Sequence, residues 1–411
     1  MYCWLVETWA WVGGCVGSFN RYEMAADANT WPHVIIDALD ACEDQGSLWR
    51  RRREAFVPVL TARRRSAKRS RSEPPDQPLV ENEVGLCEAL EAVASRVDKS
   101  ALCAASRTAK GPTAAPTLPN LSSITQQQQG FEFPLRVVDL SSGRSELGAP
   151  LLFSSLVHNC SDEATCICAF GSRWVLPRRS AFFLSRARRW RELAPLTLSR
   201  EPACDHGYRL LLLDPPWHSR SVERAQTYET HDMRELLRDL APAARALASR
   251  TACLFCVWVT NAAKVQRFVE ETLFRSCGAT PIARWYWLKL AVDGSWASGS
   301  EPSSPHRKPW EVCLIGYAGE APPPPLPPRL AIACVPYAEH HSAKPALDPL
   351  LREHAAAHLL GAPDLDPQAA WEQLPKLEMF ARDVRAHWHA CGDEVLRYQH
   401  ESFHERMVSD V

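Results

Sequence analysis

The chain has 411 residues, 46% of them hydrophobic and 23% charged, with 47 basic against 48 acidic side chains. That length accommodates one large core domain plus a second region, with the composition of a soluble globular protein. The near-zero net charge excludes a global electrostatic pull on nucleic acid, so any such affinity must come from local patches; 32 prolines against 18 glycines argue for stiff linkers and against a glycine-rich phosphate-binding fold.

Residues 1–17 (MYCWLVETWAWVGGCVG) are apolar but carry Glu7, lack a basic flank and are too short to span a bilayer. They read as a buried helix, and no other stretch reads as a membrane span. Trp31 to Asp40 reads as a short helix. Four arginines stand at 50–53, and the Arg/Lys/Ser run at 63–78, ending in Pro and acid, reads as a solvated, disordered segment. Such a run is a plain linker, or alternatively a nuclear import signal or RNA-contacting arm, because clustered cations gain counterion-release free energy on phosphates. Val84, Leu86, Leu90, Val93 and Val97 fall at helical spacing within 82–108, and 109–130, with its Pro, Thr, Ser and Gln, reads as a linker.

Past about residue 150 the texture changes to alternating strands and helices. Trp174 onward and Ala181–Ser185 read as strand material, and Leu210–Leu213 as a buried strand. Met233, Leu236, Leu237 and Leu240 make a helix face. Cys253–Val259 is apolar on both faces, as central parallel strands are. Its Cys253-x-x-Cys256 has no second pair at metal-ligand spacing and reads as small core residues. Val265, Phe268, Val269 and Leu273 line a helix stopped at Gly278. Strands follow near 282–290, 311–317 and 330–336, then a helix near 346–360 and a strand near 377–381. Pro322–Pro328 reads as a stiff spacer, alternatively as a ligand for a proline-reading domain. Fifteen cysteines, an odd number without a signal peptide, point to a reducing compartment. The fold class is α/β with a mostly parallel sheet, and the division is an N-terminal region over 1–150 followed by an α/β domain over 151–411.

The run Leu210-Leu-Leu-Leu-Asp214-Pro-Pro-Trp217 explains itself chemically. Asp214 precedes a proline, so its backbone is extended. Pro215 and Pro216 have no N–H, so the ladder stops there. The carboxyl end of a strand is where open α/β sheets place ligands. A carboxylate, a bare proline carbonyl and an indole suit an aromatic amine such as the exocyclic nitrogen of adenine. Asp214 and the Pro215 carbonyl each accept one N–H, and Trp217 stacks on the ring. Two acceptors favour a pyramidal nitrogen with a localised lone pair, the geometry of the transition state of substitution at that nitrogen.

Asp214-Pro-Pro-Trp217 resembles the catalytic motif of the S-adenosylmethionine-dependent N6-adenine methyltransferases, a Rossmann-like family. The likeness covers about residues 170 to 405 through WVLPRRSAFFLS (174–185), DPPWHSRSV (214–222), WVTN (258–261), WYWLK (285–289), SPHRKPWE (304–311), HSAKPAL (341–347), LEMFAR (377–382) and GDEVLRYQH (392–400), in the order of the methyltransferase-like protein 4 branch. The resemblance implies that Asp214, Pro215, Pro216 and Trp217 are catalytic. It implies that Asp214, Lys289, His341, Lys344, Arg382, Asp383, Asp393 and Glu394 bind S-adenosylmethionine. It implies substrate contacts from Trp217, Tyr228, Asn261, His306 and Lys308, and no metal. The family often has S-H-K-P and G-N-E where this chain reads Ser342-Ala343-Lys344-Pro345 and Gly392-Asp393-Glu394. The implied reaction is methyl transfer to N6 of adenosine in RNA, on a 2′-O-methyladenosine of a small nuclear RNA or near a cap. DNA adenine is the close alternative, and a non-catalytic RNA-binding scaffold subunit the rival from another class. The branch implies a protein able to act alone as a monomer, with a partner protein as the alternative and no membrane partner; the Arg-rich run points to the nucleus, with the cytoplasm as a second location.

Overall fold

The computed structural model describes residues 22–23, 33–35, 49–51, 81–100, 102, 119–127, 135–140, 146–194, 207–217, 233–304, 308–336 and 343–406. Strands in chain order are β1 Tyr22–Glu23, β2 His33–Ile35, β3 Trp49–Arg51, β4 Arg136–Asp139, β5 Ser155–Asn159, β6 Thr165–Ala169, β7 Ser172–Leu176 and β8 Ser180–Leu184. They continue as β9 Leu210–Leu213, β10 Ala252–Val259, β11 Thr280–Lys289, β12 Trp310–Gly319, β13 Arg329–Cys334, β14 Lys376–Met379, β15 His389–Gly392 and β16 His404–Arg406. Twelve of them form one sheet in the order β1-β2-β13-β11-β12-β10-β9-β14-β15-β8-β5-β4.

The central strands are apolar on both faces because both faces are covered. Leu211, Leu213, Phe255, Val257, Leu377 and Met379 face one layer, which includes Leu236, Leu240, Ala243, Ala244 and Leu247 of the helix Met233–Leu247. Leu210, Leu212, Leu254, Cys256 and Trp258 face the other, which includes Leu350, Leu351, Ala355, Ala356 and Leu359 of the helical run from Asp348 to Leu360. The period of two along β9 and β10 thus sorts alternate side chains into two cores. Cys253 and Cys256 are fully buried members of these cores, and the ten described cysteines are free.

Register determines what meets at the sheet's edge. β9 runs parallel to β10 and to β14, with Leu213 opposite both Val257 and Met379. β14, β15 and β8 are also parallel, so Gly392 lies beside Leu184. β12 is antiparallel to β10, pairing Val259 with Val312. β11 is antiparallel to β12, pairing Trp287 with Glu311. The amino end of β12 and the carboxyl end of β11 therefore reach the same edge as the carboxyl end of β9.

Gly278 ends its helix as the sequence requires, at φ 76, with its N–H on the Arg275 carbonyl and the Ala279 N–H on that of Phe274. Two expectations change. Within Trp31 to Asp40, His33–Ile35 is a strand parallel to β13, with Ala331 opposite His33; the free edge of β13 offers a ladder to the Val-Ile pair. Within 109–130, Leu121–Gln127 is a helix. The Asn120 side chain accepts the Ser123 N–H at 2.9 Å as its cap, and Leu121 is buried. Segments from the first 150 residues enter the same body, with Leu90, Val93 and Val97 in the core beside β9 and β10. Residues 1–17 and 63–78 lie outside the described residues. No described helix is long and apolar enough to cross a membrane.

Gly392 closes β15 where the backbone that leaves β14 passes. A Cβ there would stand 2.6 Å from the Ala381 carbonyl oxygen. Gly392→Ala is expected to cost about 1–3 kcal/mol of stability by overpacking, read as a lowered denaturation midpoint at unchanged slope.

Candidate active site

Asp214 follows the last residue of β9, and its N–H donates to the Met379 carbonyl of β14 at 3.3 Å. Beyond it the ladder stops, as two prolines demand. The Trp217 N–H then donates back to the Pro215 carbonyl at 2.8 Å, a three-residue turn centred on Pro216. This turn aims the indole inward. The Trp217 ring is only 6% exposed, donates its Nε1–H to the Trp258 carbonyl at 2.8 Å and meets Phe268 edge-on at 6.3 Å. The motif alone predicts an indole that stacks on the base; in the structure the indole is buried and its hydrogen bonds anchor the turn.

Beside Asp214 stands a row of alternating charges. The Lys344 ammonium lies 3.2 Å from Asp214 Oδ2 and 3.3 Å from Glu311 Oε2. Glu311 Oε1 is bonded to Lys289, whose ammonium also lies 4.5 Å from the centroid of the Trp287 ring. Side-chain exposure across the four is 17–26%, so water reaches the row without dissolving it. Burial alone would raise the pKa of Glu311, but the Lys289 and Lys344 ammoniums override it and hold the carboxyl down to about 2. Burial alone would lower that of Lys344, but Asp214 and Glu311 keep it above its ordinary value. Glu311 escaped the sequence reading as a site residue. Its signal was an acid inside the otherwise apolar strand W-E-V-C-L-I-G.

Further along the edge, Arg382 Nε pairs with Glu394 at 3.1 Å, and Glu394 also receives Arg397 at 3.0 Å. Asp383 Oδ1 accepts the buried Gln399 amide. The Asp393 carbonyl takes the Thr125 hydroxyl at 3.3 Å. Ser185, whose N–H bonds the Gly392 carbonyl, has a buried hydroxyl without a partner. On the opposite flank, Asn261 Nδ2 donates to the Trp310 carbonyl at 2.5 Å, while its Oδ1 is buried and unpartnered. Lys308 lies 5.2 Å from the Trp310 ring centroid, and burial lowers its pKa. Tyr228, His306 and His341 lie outside the described residues.

A second unforeseen group holds the loop that carries Lys344. Arg385, 7% exposed, binds Asp348 through Nη1 and Glu378 through Nη2, the latter at 2.7 Å. The Trp388 indole donates to the other Asp348 oxygen at 2.8 Å. Burial pushes the Glu378 carboxyl up to about 7, with Arg385 opposing. The segment following β13 is thereby clamped to β14.

The MT-A70 family pattern matches residues 208–394, which span this whole edge from β9 to the Asp393–Glu394 pair. These residues form an MT-A70 family domain. The chain is 28% identical to the mouse N(6)-adenine-specific methyltransferase METTL4 over 298 residues, 70% of this chain and 54% of that protein. It is 30% identical to the N6-methyladenosine RNA methyltransferase MTA1 of Pyricularia oryzae over 60% of this chain and 61% of that protein. It is 25% identical to a DNA N6-methyl methyltransferase of Caenorhabditis elegans over 65% of this chain and 66% of that protein. The chain spans about half the length of the METTL4 relatives it matches.

The residues of this MT-A70 edge fit S-adenosylmethionine. Lys344 and Asp214 supply opposite charges for an amino-acid end, Arg382, Asp383, Asp393 and Glu394 supply polar groups for an adenosine end, and the unpartnered Ser185 hydroxyl is a buried valence for a ligand to satisfy. No group of described residues could hold a metal ion.

Because its folded pKa is depressed, Glu311 contributes stability that is complete above its ordinary value of 4.5 and lost as pH falls toward about 2. The span corresponds to about 3 kcal/mol. Glu311→Gln should therefore be less stable at pH 7 and show a flatter acid limb between those values, measured by urea denaturation across pH.

Proposed function

We propose that this chain transfers the methyl group of S-adenosylmethionine to the N6 amine of adenosine in a nucleic acid, with RNA as the preferred substrate. The observation that carries the reading is Asp214 and the Pro215 carbonyl at the blunt end of β9, with Lys344 on Asp214 Oδ2. Lys344 takes one oxygen and leaves Oδ1 to accept an amine N–H. The Pro215 carbonyl, with one lone pair on the Trp217 N–H, keeps the other for the second amine hydrogen. Held so, the amine nitrogen localises its lone pair and points it along one direction. The bound cofactor supplies an electrophilic methyl group. Lys344 and Asp214 would hold its amino-acid end, while Arg382, Asp383, Asp393 and Glu394 would hold its adenosine.

Trp217 is a positioning residue in this scheme, since its two hydrogen bonds set the carbonyl of Pro215. Asn261, with its unpartnered Oδ1, and Lys308 over Trp310 lie on the flank left for the substrate. Such a base must stand outside any duplex, in single-stranded RNA or flipped. The finer reading is an adenosine already carrying a ribose 2′-O-methyl in a small nuclear RNA, acted on in the nucleus; the arginine-rich run supports that address. The worm relative named for DNA keeps DNA adenine as the second reading.

The test is transfer of labelled methyl groups to matched RNA and DNA oligonucleotides with one adenosine, with and without the 2′-O-methyl. RNA is expected to outpace DNA, and absence of transfer to every substrate would overturn the reading. Asp214→Asn exchanges an acceptor for a donor facing the amine and should lower kcat/KM at least about 100-fold. Trp217→Phe loses one buried hydrogen bond, about 1 kcal/mol, and should lower kcat about fivefold with KM for the cofactor unchanged.

A further inference from the structure

The loop between β12 and β13 has a shape that connecting two strands does not require. Six of the seven residues from Pro322 to Pro328 are proline. Each ring fixes its own φ, and each proline holds the residue before it extended. Residues 321–324 all precede a proline, so this stretch is locked into the three-sided polyproline helix before anything binds.

The three sides are sorted. Pro322 and Pro325, one turn apart, share a side and are exposed. Pro323, on the second side, is exposed as well, and Pro324, on the third, is buried against the protein. The loop is fastened through its carbonyls, which leaves the Pro322, Pro323 and Pro325 rings outward. A ring nitrogen of His358 bonds the Pro322 carbonyl at 2.7 Å, the Trp285 indole donates to that of Pro327 at 2.9 Å, and the Arg284 N–H donates to that of Pro328 at 2.9 Å. The Leu326 N–H bonds the Pro324 carbonyl at 2.7 Å, which bends the chain at Pro325 back toward the sheet, where Leu326 packs on the apolar layer. Two sides out and one side in is the presentation that aromatic-lined proline-reading grooves grip.

We propose that Pro322–Pro325 is a docking site for a proline-reading module, a small domain with an aromatic groove and an acidic rim. The groove takes Pro322 with Pro323, then Pro325. The acidic rim faces Arg329, exposed at the start of β13, while Glu320 at the other end disfavours the reverse orientation. Because the loop is already ordered, association avoids most of the conformational entropy that a disordered proline-rich tail would lose. The site sits at the edge opposite Asp214: β12 ends at Gly319, paired with Ala252 at the amino end of β10. A docked partner leaves the catalytic edge open, so the loop serves recruitment.

The full-length chain would be titrated against an array of purified SH3 and WW domains, with binding read by calorimetry. At least one module is expected to bind at micromolar concentration. Pro322→Ala with Pro325→Ala should weaken that binding at least tenfold, and Arg329→Glu at least threefold, with melting temperature and methyl transfer unchanged. A synthetic peptide of residues 320–329 should compete with the native chain, a readout that does not depend on any variant folding. No binder in the array, or a binder indifferent both to the double substitution and to the peptide, overturns the proposal.

Discussion

The candidate site depends on the position of one ammonium. Lys344 stands between two carboxylates that come from different strands, Asp214 beyond β9 and Glu311 on β12, and Glu311 passes the alternation on to Lys289 on β11. Partly buried ion pairs are weak sources of stability, because desolvation offsets most of the attraction. Removing one member is another matter, since its neighbour keeps the desolvation and loses the compensation. Four charges in series therefore behave as one unit, and its geometry is only as good as the backbone that delivers each side chain.

That backbone is the sheet register. Had β12 run parallel to β10, Glu311 would lie at the far edge, out of reach of Asp214. The antiparallel insertion of β12 between β10 and β11 turns the amino end of one strand and the carboxyl end of another toward the same cleft. Lys344 belongs to no strand. Its loop is fastened by Arg385, which bridges Asp348 to Glu378 on β14, with the Trp388 indole on the remaining Asp348 oxygen. Two layers of packed apolar side chains hold the strands, and one buried guanidinium holds the loop.

The sequence made the strands legible and the encounters between them illegible. Leu210–Leu213 and Cys253–Val259 declare themselves because strands covered on both faces are apolar throughout, and the Asp-Pro-Pro stop follows from proline chemistry alone. His33–Ile35 is too short to show a period, and becomes a strand because β13 has an open edge. Leu121–Gln127 is hidden by its Ser, Thr and Gln content, and exists because Asn120 caps it and Leu121 finds a pocket. Glu311 and Arg385 were missed for a related reason: each owes its role to partners at least seven residues away, and most of them more than twenty, which no local pattern encodes. Trp217 shows the reverse error. Its residue type suggested an open ring, but a three-residue turn at Pro216, invisible in composition, turned it inward.

The neutrality of the charge row bears on the proposed chemistry. The methyl donor in such a reaction starts as a cation and its charge disperses on the way to the transition state. A pocket with two uncompensated carboxylates would bind the starting cation better than the transition state, and would slow the step it was meant to assist. With Lys289 and Lys344 cancelling Glu311 and Asp214, the pocket carries no such bias. What remains for the proposed reaction is directional: one oxygen of Asp214 and one lone pair of the Pro215 carbonyl, both fixed by the end of β9, as acceptors for the amine hydrogens. The catalytic advantage then lies in orienting a weak nucleophile, which a proline-stopped strand does better than any flexible side chain.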